Sequence, residues 1–223
     1  RPLTLVVDAP VPDAVAPVPA AARLLDGDHL VASATASAPL AREAQTPVTV
    51  AAARAAEERY EGLSDHPFPT CFSCGTARDP DDALCLRPGP LDDESRRYAT
   101  SWIPREASVP LVWAALDCPG GWSAGIAGRP MVLGTMTTEV IALPEPGVAH
   151  TVLAWHRGSQ GRKHFSGSAL VAPDGRVLAR AEAGERPEYW PENSDGYTTG
   201  LTVLACDEDE AREFSLAYLR SIE

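Results

Sequence analysis

Ser108-Val109-Pro110-Leu111-Val112-Trp113-Ala114-Ala115-Leu116-Asp117-Cys118-Pro119-Gly120-Gly121-Trp122-Ser123-Ala124-Gly125-Ile126 is the stretch on which the fold turns. It is too long for a strand and its apolar residues fall on every side, so it reads as a buried helix rather than an amphipathic surface one. Ala114, Ala115, Cys118, Gly120, Gly121, Ala124 and Gly125 are small, which lets a curved sheet approach the helix closely. A surface helix has no need of such small side chains around most of its circumference.

The segments on either side supply the sheet. Arg97 to Ile103 reads as a strand before the helix. Met131 to Leu143, Ala149 to His156, His164 to Val171 and Arg176 to Ala183 read as four strands after it. Pro144-Glu145-Pro146-Gly147, Gly158 to Gly161 and Pro173-Asp174-Gly175 separate them as turns. Short turns between successive strands predict antiparallel pairing. One apolar helix followed by an antiparallel meander predicts an α+β fold in which the sheet wraps around a central helix.

The rest of the chain is less regular. Leu3 to Val7 is a β-type run, after which Pro10, Pro12, Pro17 and Pro19 exclude a helix or a central strand. Asp28 to Ser37 alternates as a strand behind an Asp26-Gly27 turn. Thr46 to Tyr60 reads as a helix with Thr46 as N-cap, Pro47 in its first turn and Gly62 ending it. His66 to Pro90 is a Pro-, Gly- and Asp-dense connector. Asp207 to Ile222 reads as an amphipathic helix whose first turn carries four acids, as the helix dipole favours.

Composition bounds the function. The 223 residues carry 19 basic and 31 acidic side chains, a net charge of −12, which excludes a phosphate-tracking nucleic-acid binder or a polybasic membrane module. No apolar run of about 18 residues is present and no basic-then-apolar leader opens the chain, so no membrane partner is expected. Five cysteines fit a reducing, cytoplasmic setting better than a disulfide scaffold. All basic residues but Lys163 are Arg, and Ala is abundant. That codon bias gives an actinobacterial source as the expectation.

The segment Trp113 to Trp122 resembles the central helix of hot-dog thioesterase-superfamily proteins, most nearly that of PaaI-like and actinobacterial thioesterase-like members. Those also carry a loop like Cys71-Phe72-Ser73-Cys74-Gly75 upstream and a turn like Gly161-Arg162-Lys163 downstream. The resemblance covers about residues 65–183 and implies a hot-dog fold. With residues 1–95 as a degenerate N-terminal half and 96–223 as the C-terminal unit with a helical tail, it implies a double hot-dog. Such a molecule is a monomer, whereas a single hot-dog pairs as a homodimer. The resemblance also implies an acyl-CoA thioesterase-like activity on a small-molecule acyl thioester, with CoA as part of the substrate and no other cofactor.

Asp117 stands at the position of the family's catalytic acid. A carboxylate beside an apolar acyl pocket is made more basic by desolvation and suits a base or nucleophile. Backbone N–H groups at a helix start would polarise the thioester carbonyl, but the family's His-Gly-Gly is here Ser108-Val109-Pro110, and Pro110 has no N–H. Trp113, Gly120, Gly121 and Trp122 would line the acyl site. Trp155, His156, Arg162, Lys163 and His164 would receive the anionic end of CoA, Arg162 as a fork and Lys163 as a point charge. A hydratase or dehydratase would need His156 or His164 to reach Asp117. A non-catalytic acyl- or small-molecule-binding protein would keep the pocket without the chemistry.

The bland readings stand beside these. Asp117 also fits a helix-bend residue bonded to backbone freed by Pro119. The tryptophans fit core packing, and the basic hairpin fits a solvated tip. Cys71 and Cys74 have the spacing of half a zinc site, with His66 and Cys85 nearby. No second close pair follows, so no metal is expected. Cys118, with no His near it in sequence, reads as a packing residue.

Overall fold

A computed structural model describes residues 3–7, 21–35, 40, 45–92, 96–187 and 200–203. The chain order is β1 (Thr4–Val7), β2 (Ala21–Asp26), β3 (His29–Thr35), α1 (Val50–Glu57), β4 (Gly89–Pro90), β5 (Arg97–Trp102), α2 (Val109–Ser123), β6 (Met131–Val140), β7 (His150–Gln160), β8 (Lys163–Val171), β9 (Val177–Pro187) and β10 (Gly200–Val203). The expected helix at 207–222 lies outside the described residues.

The strands form one sheet in the order β1-β2-β3-β10-β6-β9-β8-β7-β5-β4. Within it, β6-β9-β8-β7-β5 is antiparallel throughout. Helix α2 connects β5 at one side of this unit to β6 at the other, so the chain must cross a face of the sheet, and the helix is the crossing. This is the hot-dog arrangement, an antiparallel sheet wrapped on a central helix.

Side-chain alternation explains why the sheet is covered on both faces. Val152 of β7 and Leu170 of β8 join α2's Val112, Trp113, Ala115 and Leu116, together with Trp102 and Met136, in the main core. Their sequence neighbours Leu153 and Ala169 point the other way, as strand periodicity requires, and pack with Trp155 and Ala99 against Ala53 and Ala56 of α1. The two helices therefore lie on opposite faces of one sheet. The N-terminal residues add β1–β3 to that sheet and α1 to its outer face. A second wrapped helix, the mark of a double hot-dog, is not formed among the described residues. Pairing also crosses the 95/96 boundary, with Gly89 opposite Ala99.

Several local expectations shift. The cap of α1 is Thr49, not Thr46: its side chain accepts from the Ala52 N–H at 3.1 Å, and the helix begins at Val50. The helix ends at Glu57 rather than Tyr60. Gly62 instead sits in a short 3-10 turn, Glu61–Leu63, where its missing Cβ leaves room for the Tyr60 ring. The β7–β8 turn is tighter than Gly158 to Gly161, because β7 runs on to Gln160 and Gly158 (φ +123°) takes up a register shift. β6 stops at Val140, short of Leu143. β2 was not foreseen; its Ala-Ala-Arg-Leu-Leu-Asp sequence lacks period-two alternation.

Candidate active site and thiol cluster

Helix α2, which carries Asp117 and Cys118, is held in place by the sheet. Ten of its fifteen residues are buried, its first turn has no acid, and Ser108 gives it no side-chain cap. Packing, not local signals, fixes it in place. Two side-chain hydroxyls tie its carbonyls to the surroundings. Ser168 of β8 donates to Leu116 O at 2.7 Å, and Ser73 of the connector donates to Ala114 O.

Asp117 follows directly. It retains some solvent contact although protein surrounds it, and its carboxylate has no hydrogen-bond partner among the described residues. Burial raises its carboxyl to about 7, with a further push from the nearby Cys71 sulfur. A helix-bend role would require the carboxylate to be bonded to backbone, and no such bond is formed among those residues.

The His66–Pro90 connector folds back onto α2. Cys71 Sγ lies 3.4 Å from Cys118 Sγ and 3.8 Å from Cys74 Sγ, and all three sulfurs lie within 4.8 Å of one another. Cys118 is thus part of a trio, not a simple packing residue. Around the trio stand an indole, an imidazole and a phenol. Trp122 Nε1 donates to Cys74 Sγ at 3.4 Å, His66 Nε2 lies 3.4 Å from the same sulfur, and Tyr60 Oη donates to Cys74 O at 2.9 Å. The Tyr60 and His66 rings meet Trp122 edge-on at 4.7 and 5.2 Å. Contact with Cys118 and Cys74 favours the charged form of Cys71 and lowers its pKa, while Cys118 is held well above the usual thiol range by the same contacts. Burial holds Tyr60 protonated and lowers His66. Cys85 is elsewhere, in a left-handed backbone conformation (φ +49°).

The other candidate residues are dispersed. Trp113 is in the main core, and Gly120 and Gly121 are buried inside α2. Trp122 belongs to the thiol cluster. Trp155 is mid-strand on the outer face, over Gly167, where any Cβ would strike the indole at 2.4 Å. It lines an outer groove of about 600 Å³ with Val48, Leu153 and Val177, well away from the hairpin tip. His156 and His164 do meet: Ser159 Oγ bridges them, 2.7 Å from His164 Nδ1 and 3.4 Å from His156 Nε2. Neither imidazole hydrogen-bonds Asp117. Arg162 and Lys163 are exposed at the β7–β8 tip. Lys163 lies five residue steps along β8 from Ser168, the strand residue that holds α2, a span of about 17 Å.

Sequence reasoning missed the trio because Cys71 and Cys118 are 47 residues apart. The signal was present in halves, Cys-x-x-Cys in the connector and a lone Cys in the helix.

Solved structures similar to this chain include a thioesterase superfamily protein, 16% identical over 47% of this chain and 58% of its own length, with a TM-score of 0.41. The chain therefore spans less than two thirds of that protein. The E. coli PaaI protein from the phenylacetic acid degradation operon is 11% identical over 46% of this chain and 83% of its own, with a TM-score of 0.41. Zebra fish thioesterase superfamily member 2 is 11% identical over 63% of this chain and 99% of its own, with a TM-score of 0.44. No family model and no curated protein matches the chain. The fold assignment stands on the strand order and the placement of α2. No helix among the described residues is long and apolar enough to cross a membrane.

Proposed function

We propose that the chain hydrolyses an acyl thioester, most simply an acyl-CoA, with Asp117 as base or nucleophile. One observation carries the reading. The helix at the centre of the wrapped sheet presents a carboxylate that no described residue hydrogen-bonds. A half-buried carboxylate with no protein partner and a raised pKa is a candidate for chemistry. As base it takes a proton from the attacking water and passes it to the departing thiolate; as nucleophile its oxygen attacks the carbonyl carbon, giving a mixed anhydride that water then cleaves to release the acid and regenerate Asp117. Either route expels the thiolate.

The exposed Arg162/Lys163 tip supplies positive charge in a protein of net charge −12. A separation of about 17 Å along the strand suits a substrate with a long thin arm between its reacting carbonyl and its anionic end, as acyl-CoA has. The first turn of α2 offers the Val109 and Leu111 N–H groups, but Asp117 lies about 9–12 Å further along the axis, so within one chain they do not reach a carbonyl at Asp117. Pro110, between them, favours a second reading, an acyl-binding protein without turnover, because it removes one donor.

Purified protein is offered a panel of acyl-CoAs from short aliphatic to aromatic, and thiol release is followed. The expected result is turnover of at least one, reduced about 10²–10⁴-fold in Asp117→Asn. Binding of acyl-CoA with no thiol release would support the second reading. Equal turnover in the variant would remove Asp117 from the mechanism.

A further inference from the structure

We propose that Cys71, Cys74 and Cys118 form a metal site for a soft tetrahedral ion of the Zn2+ class, fastening the connector to helix α2. A tetrahedral ion with Zn–S bonds of about 2.3 Å requires sulfurs about 3.8 Å apart. The measured separations are 3.4 and 3.8 Å, and the third pair also lies within 4.8 Å. A disulfide needs S–S near 2.05 Å and uses two sulfurs, so it accounts for neither the third thiol nor these distances.

The connector is shaped for the task. Cys71-Phe72-Ser73-Cys74-Gly75 folds into a tight knuckle in which Gly75 N donates to Cys71 O at 2.9 Å. A Cβ at Gly75 would come within 2.5 Å of the Cys71 and Pro69 carbonyl oxygens, so only glycine fits. Trp122 Nε1 donates to Cys74 Sγ at 3.4 Å. An N–H donor on a ligand sulfur stabilises the thiolate and orients it toward a metal.

His66 is a positioning residue in this arrangement. Its Nδ1 accepts from Phe68 N at 2.9 Å, so Nε2 carries the proton and faces Cys74 O at 3.0 Å. The fourth coordination position is not filled by a member of the trio. Binding displaces the thiol protons, so uptake releases acid. The ion would join two segments 47 residues apart in sequence, beside Asp117 but independent of any reading of its chemistry.

The test uses the full chain. Metal content is measured by mass spectrometry on protein purified without chelator, and chelated protein is then titrated with Co2+. The expected result is one zinc per chain and a thiolate-to-cobalt charge-transfer band that saturates at one equivalent. The band is lost or weakened in Cys71→Ser and Cys118→Ser and unchanged in Cys85→Ser. If either cluster variant fails to fold, thiol counting on the wild type decides: three thiols should be shielded with metal and become reactive on chelation. A folded wild-type chain that takes up no Co2+, a Cys71–Cys118 disulfide in protein kept under reducing conditions, or a band unaffected in a folded Cys118→Ser overturns the proposal.

Discussion

The two helices on opposite faces of one sheet are built by opposite rules. Helix α1 is short and locally specified: eight residues, mostly alanine, a Thr49 cap, and contact through Ala53 and Ala56. Helix α2 is long and locally unsupported: fifteen residues, no side-chain cap, Pro119 inside it, and ten positions buried. Proline in a helix interior costs about 3 kcal/mol in an exposed setting, so α2 exists because the sheet encloses it. The outer helix, by contrast, uses its polar residues to dock. Glu57 Oε1 accepts from Ser101 N at 2.5 Å, Ser101 Oγ at 2.7 Å and Thr100 Oγ1 at 3.0 Å.

The contrast can be broken from the α2 side first. Trp113→Ala removes a fully buried indole from the main core and should cost about 3–5 kcal/mol. Chemical denaturation checks this, and a loss under 1 kcal/mol would mean that α2 is not held by packing. On the α1 side the effect is smaller. A Cβ at Gly89 would fall 1.8 Å from Ala56 O, so Gly89→Ala must push α1 off the outer face, at about 1–3 kcal/mol. Any turnover should survive, since α1 lies on the face opposite Asp117. Smallest is Thr49→Ala, which removes the α1 cap for about 1 kcal/mol. The corresponding change at the start of α2, Ser108→Ala, should be close to neutral in the same melts, because Ser108 makes no cap bond.

The same contrast explains what the sequence made legible. Helix α2 and the strands after it were readable because their signals are redundant: an apolar stretch that excludes a surface helix, then strands bounded by Pro-Asp-Gly and Gly-Arg-Lys turns. The start of α1 differs by three residues because Thr46 and Thr49 both offer a cap in the sequence, and in the fold it is Thr49 that accepts from Ala52 N. Asp117 was visible as an acid in an apolar run. The thiol trio was hidden because Cys118 approaches Cys71 only once the connector folds back on α2. Trp155 was grouped with its hairpin neighbours, but strand alternation turns it to the outer face.

On the proposed reading, Asp117 is kept in α2 for chemistry rather than for stability. The most direct measurement pairs the Tm of Asp117→Asn with its rate of thiol release from acyl-CoA. Replacing a half-buried carboxyl that bonds no described residue by a neutral amide should leave Tm unchanged or raise it, while turnover falls by about 10²–10⁴-fold. A lowered Tm with turnover retained would contradict the account and make Asp117 a structural residue.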